Sequence, residues 1–248
     1  RELWLRVEQR KRRLVADLLN HGLPVVSRKA DPQRGLAFAF LEDDPGGLEF
    51  YDPHQDNRIL TGHVNGLITI NIAEADDVER ERMRVQMNEQ QRTLLGHFRH
   101  ESGHYYWDRL MTDSPLIESV RQTFGDERAD YASALDRYYA EGPRPDWPDA
   151  FVSAYASAHP WEDWAECWAH WLQIHDALDT AVAVGLSSHT ALEGDFDRRI
   201  EHWLKLAAQL NLINRSLDQP DSYPFVLTPP VIEKLRWIDC VIRCSAVF

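Results

Sequence analysis

Leu94–Met111 reads LLGHFRHESGHYYWDRLM, a stretch with no proline and an apolar rhythm close to the helical repeat. Inside it stand His100, Glu101, Ser102, Gly103 and His104. On a helix, residues four apart lie one turn apart on one face. Two imidazoles placed that way can chelate one Zn²⁺, and the glutamate between them can reach a water beside the ion. The five-residue pattern is short enough to arise by chance, so its surroundings decide. With His100 as the origin of a helical wheel, His104 falls about 40° away, His97 about 60° and Glu101 about 100°, all in one sector. Leu95, Tyr106 and Leu110 fall opposite, where a core is expected. His97 competes as a ligand only at the expense of Glu101's purpose, so it is expected beside the ligands or on the helix surface. Gly96 and Gly103 each cost such a helix about 1 kcal/mol against alanine. For Gly103, between the two histidines, that cost makes sense where another chain segment passes close by.

A hydrolytic zinc site takes three protein ligands and keeps one position open. The strongest source for the third is His159–Trp171, HPWEDWAECWAHW. Read as a helix from Pro160, it gathers Trp161, Trp164, Trp168, Trp171 and Leu172 on one side. Glu162, Glu166, Ala169, His170 and Gln173 gather on the other. Glu162 and Glu166 are four apart, so one is expected on the metal and the other on a ligand histidine, fixing its tautomer. His170, a further turn along, is the lesser candidate.

The totals set bounds. A chain of 248 residues with 44% hydrophobic content and nine tryptophans has ample core-forming material. A net charge of −13 argues against nucleic acid or an anionic membrane as a partner. No apolar run reaches the roughly 18 residues of a membrane-spanning helix. The chain opens at Arg1 with charged residues and no visible secretory signal, so a fragment of a longer protein is expected. Cys167, Cys240 and Cys244 are odd in number and do not form a disulfide framework, which favours reduced thiols and a cytoplasmic setting. Cys240 and Cys244 stand one turn apart, with no second pair nearby to complete a four-thiolate metal site.

Along the chain, residues 2–20 read as an amphipathic helix with Leu3, Val7, Leu14 and Leu18 on one side. From Leu23 to Ile72 come short β-prone pieces: PVVS, LAFAFLE, a DDPGG break, DNRILTGH and Gly66–Ile72. Beyond Ala73 the texture is helical. A charged helix over 75–89 leads into the histidine helix without a break, and further helices are expected at 114–124, 129–141, 160–178, 194–213 and 230–245. Pro143, Pro145 and Pro148 mark a short loop, and Pro229-Pro230 suits a helix start. The reading is a single α+β unit over 1–248, with a small mixed or antiparallel sheet early and helices after it.

Three motifs in order, HVNGLITINIAEAD, GHFRHESGHYYW and HPWEDWAE, resemble the zinc-binding metallopeptidases of bacteria, and the similarity continues through INRSLDQPDSYPFVLTPP. Members of that family commonly carry an N-terminal cysteine-rich zinc ribbon, which this sequence lacks. The wider resemblance is to gluzincins, in particular the catalytic domain of anthrax lethal factor, and it implies a zincin-like fold. It also implies that Glu162 is the ligand of the pattern Glu162-Asp-Trp-Ala-Glu166, with Glu166 supporting it. Tyr155, seven residues before Glu162, matches the tyrosine that assists the oxyanion there.

The implied chemistry is peptide hydrolysis with one catalytic Zn²⁺, Glu101 as general base and Tyr155 on the oxyanion. Gly66, Leu67, Ile68 and Thr69 resemble the edge strand on which zincins align an extended peptide, so the expected partner is a peptide or protein substrate. A zinc hydrolase of a non-peptide amide and a module with structural zinc remain as alternatives; a purely structural site has no need of Glu101.

Overall fold

Helix α1 (Glu2–Asn20) opens the computed structural model, which describes residues 1–42 and 61–245. The DDPGG turn and most of the expected strand at 56–63 lie outside the described residues. The chain divides into two compact units, 1–112 and 113–248.

In the first unit α1 buries Val7, Leu14 and Leu18, the apolar stripe expected of it, together with Asp17. Strands β1 (Ala37–Leu41), β2 (Gly62–Val64) and β3 (Leu67–Asn71) form a mixed sheet in the order β1-β3-β2. Strand β1 runs parallel to β3, with Ala37 opposite Leu67 and Leu41 opposite Asn71. Strand β2 runs antiparallel to β3 through a two-residue turn at Asn65 (φ 48°) and Gly66 (φ 80°). These are the positive φ values that an Asn-Gly hairpin supplies at least cost. A Cβ on Gly66 would also meet the Gly35 carbonyl oxygen at 2.5 Å.

This topology corrects the expectation for Gly66–Thr69. Strand β3 is the middle strand: Leu67, Ile68 and Thr69 pair with Ala37, Phe38 and Ala39 on one side and with Val64, His63 and Gly62 on the other. Gly66 accepts from the Ala37 N–H and gives its own N–H to His63. The backbone groups that would align a peptide are therefore already committed.

A second correction concerns the approach to the histidine helix. Helix α2 (Asp77–Gln86) stops, Asn88 takes φ 53°, and α3 (Leu94–Leu110) begins anew at Thr93. The Thr93 hydroxyl accepts the Gly96 N–H at 2.9 Å, a side-chain cap. A Cβ on Gly96 would lie 2.8 Å from that hydroxyl, so the glycine makes room for the cap. From Phe98 to Trp107 every residue of α3 except His100 is buried. Of the three residues placed on the core side, Tyr106 is fully buried and Leu95 and Leu110 are half-buried, and the core extends round nearly the whole helix rather than along that side alone.

In the second unit α7 (Pro160–Ala183) is likewise buried on both faces. Trp164 and Trp168 stack at 5.7 Å, Phe124 of α4 (Ile117–Phe124) meets Trp164 edge-on, and Trp171 is 2% exposed. Helices α5 (Tyr131–Glu141), α8 (Phe196–Ser216) and α9 (Pro229–Ser245) fall where the sequence places them. A short α6 (Trp147–Ala150) inside the proline-rich loop was not expected. Among the described residues no helix is long and apolar enough to cross a membrane.

Asp17 shows how the first unit is tied. Its carboxylate, 4% exposed, meets Arg99 of α3 at 3.3 Å and Arg13 at 3.2 Å. Removing one partner of a buried pair strands the other charge, so Asp17→Ala should cost about 3 kcal/mol. Urea unfolding measures this; a loss under about 1 kcal/mol would mean that the pair behaves like a surface contact.

Candidate metal centre

His100 and His104 stand four residues apart on α3, so they share one face of the helix a turn apart. Their Nε2 atoms lie 3.2 Å apart, with ring centroids at 4.9 Å and planes at 79°. Two imidazole nitrogens sharing one tetrahedral zinc, each about 2.05 Å from it, stand about 3.3 Å apart. The donor set and its spacing therefore fit the ion. Glu101 is buried on the same helix, and Ser102 is anchored by its hydroxyl donating to the Arg99 carbonyl at 2.6 Å.

His97 takes a different duty from its neighbours. Its Nδ1 lies 3.3 Å from the carboxylate of Glu74, which also accepts from Arg92 at 2.5 Å. Burial pushes the Glu74 carboxyl up, but hydrogen bonds and charge from His97 and Arg92 outweigh it and hold it at about 2. The residue expected near the ligands is thus the outer end of a buried ion-pair cluster in the first unit.

Nothing in the spacing of the sequence assigns His63 a role. Its Nε2 accepts the Gly66 N–H at 2.9 Å, and a backbone N–H can only donate, so the ring proton sits on Nδ1. Burial first, then the charges of His104 and Arg28, hold its pKa down at about 4. The neutral ring meets the edge of Tyr105 at 6.1 Å. The only sequence signal was its place at the head of the HVNG motif.

In the second unit, Pro160 occupies the first turn of α7 and His159 caps it. The His159 Nδ1 accepts the Trp161 N–H at 3.1 Å, while Nε2 donates to the Ala129 carbonyl at 3.1 Å. Those two partners fix one neutral tautomer. Glu162 follows as the third helical residue, 1% exposed, where the helix N-terminus favours a carboxylate. The Tyr131 hydroxyl donates to its Oε1 at 2.6 Å. Tyr131 in turn packs edge-on against His159 and Trp161. Tyr131 was not anticipated, since nothing in its spacing links it to α7.

One turn on, Glu166 accepts from the Ser153 hydroxyl at 2.6 Å. Tyr155 lies in a 3₁₀ turn, Tyr155–Ser157, with its ring edge-on to Tyr138 at 5.7 Å. Desolvation raises its pKa, and the negative charge of Glu162 adds to the rise, so the phenol keeps its proton. His170 places Nδ1 against the Tyr223 hydroxyl at 2.8 Å. The acid face of α7 is therefore not a solvated one: Glu162 and His170 are both buried.

A family model described as "Putative zinc-binding metallo-peptidase" matches residues 1–241. An uncharacterized protein of Mycobacterium bovis and one of Mycobacterium tuberculosis are each 47% identical to the chain over 245 residues, covering 96% of it and 69% of theirs. No solved structure matches the chain.

The Glu74 cluster gives a pH test. A carboxyl held at about 2 in the fold, against an ordinary 4.5, adds stability that is fully present above 4.5 and is lost as pH falls toward 2. The gap between wild type and Glu74→Gln should close by about 3 kcal/mol over that window. Urea midpoints taken from pH 6 downward check it; curves that stay parallel would show that the carboxylate is not held by its partners.

Proposed function

The chain belongs to this zinc-binding metallo-peptidase family, and from that premise we propose that it is a zinc-dependent peptidase with His100, His104 and Glu162 as protein ligands. The observation that carries the reading is the 3.2 Å separation of the two Nε2 atoms, with Glu101 between them in sequence. Glu162 is chosen over Glu166 on the gluzincin-like order of the two acids. Its burial and the grip of Tyr131 on one oxygen suit a ligand carboxylate held in a single orientation. Glu166, held by Ser153, serves as the hydrogen-bonding acid on the turn behind it.

A zinc ion in this ligand set would polarise the scissile carbonyl and make water acidic enough to deprotonate near neutral pH. Glu101 takes the proton from the attacking water and delivers it to the leaving amine, a general acid–base role. Tyr155, kept protonated, donates its hydroxyl to the developing oxyanion. The substrate is a peptide or protein, and its alignment relies on surfaces other than the paired Leu67–Thr69 segment.

Glu101→Gln should keep one zinc per chain and lose at least about a hundredfold in turnover of casein or a peptide library. His104→Ala and Glu162→Ala should each lose zinc affinity by at least about tenfold. Elemental analysis and fluorogenic cleavage assays read these outcomes. A wild type that binds zinc tightly yet cleaves no peptide sinks the peptidase reading. Undiminished zinc affinity in Glu162→Ala removes Glu162 from the ligand set.

A further inference from the structure

Helix α9 buries Val231, Leu235, Ile238, Val241 and Ile242 and turns Cys240 and Cys244 outward. Both thiols are exposed, whereas Cys167 is buried with its sulfur 3.6 Å from Asp163. Cys240 and Cys244 are four residues apart on a continuous helix, so their Cβ atoms lie about 5–6 Å apart. A disulfide needs Cβ atoms at about 3.5–4.5 Å. The helix would have to unwind locally to close that bond. A metal with sulfur ligands at about 2.3 Å in tetrahedral geometry needs its two sulfurs only about 3.8 Å apart. Each sulfur stands roughly 2 Å beyond its Cβ, which gives two side chains leaning together the reach to span that distance on an intact helix. Helix geometry thus favours chelation over oxidation at this pair.

The electrostatic setting agrees. Arg243, between the two cysteines in sequence, gives its Nε to Asp239 at 2.6 Å, and Arg236 is held by Asp197 at 2.6 Å. Both nearby guanidinium charges are compensated, and the chain as a whole carries −13.

We propose that Cys240 and Cys244 form a two-thiolate site for a soft metal cation, separate from the His100–His104 pair. Binding forms two metal–sulfur bonds and releases the two thiol protons to solvent, while water fills the remaining coordination positions. The pair needs no second cysteine pair, because chelation by two adjacent thiolates already supplies the affinity gain of a local bidentate ligand.

The probe is Cd²⁺, added to the purified full chain under reducing conditions with zinc in excess, and read by sulfur-to-cadmium charge-transfer absorbance. One Cd²⁺ per chain should give the band, and His100→Gln should retain it. Cys240→Ser and Cys244→Ser should each weaken binding by at least about tenfold through loss of the chelate. No band in the wild type, or single-thiol variants that bind Cd²⁺ as well as the wild type, overturns the proposal. So does ready formation of a Cys240–Cys244 disulfide with helicity intact, because it would remove the geometric premise.

Discussion

An ionisable side chain taken out of water needs a partner, and α3 and α7 carry many such groups while being buried on nearly every side. The fold meets this demand group by group. Arg99 has Asp17, and His97 has Glu74 and through it Arg92. Asp163 has Lys234 at 2.7 Å, and Lys234 also donates to the Ala150 carbonyl at 2.8 Å. Asp239 accepts from Trp171 at 3.2 Å and from Arg243 at 2.6 Å. These pairs tie elements distant in sequence, and they leave the two helices that carry the candidate ligands little freedom to rotate. Positioning of the candidate ligands is in this sense a by-product of satisfying their buried neighbours.

The groups around Glu162 extend the same logic. His159 is locked in one tautomer by two backbone partners, and its ring supports Tyr131, which grips the carboxylate. None of the three can shift without unsatisfying another. A preorganised carboxylate of this kind spends little free energy on ordering when it takes up its role.

The sequence was most legible where periodicity acts locally. α1, α5, α7, α8 and α9 follow from apolar spacing, with prolines marking the starts of α7 and α9. The facing pair His100 and His104 followed from their four-residue separation alone. Tertiary partners were less legible. Strand β3 alternates cleanly, but alternation does not say whether a strand lies at an edge, and here it has neighbours on both sides. The halt after α2 was hidden because Asn88 at positive φ carries no strong signal, and Thr93 reads as a cap only once the break is seen. Glu74, His63 and Tyr131 contact their partners 18, 3 and 31 residues away. No single-sequence rule pairs Glu74 with Arg92 or Tyr131 with Glu162.

That break before α3 also governs how the site tolerates change. Each residue added to a continuous helix turns everything after it by about 100°. Were α2 and α3 one rod, a single insertion among residues 77–86 would swing both histidines off their face. Because Thr93 restarts the count, the angular register of His100 and His104 is measured from the cap, seven and eleven residues on. A change of length in the charged helix upstream therefore does not by itself turn the histidines, whereas a change between Thr93 and His104 does.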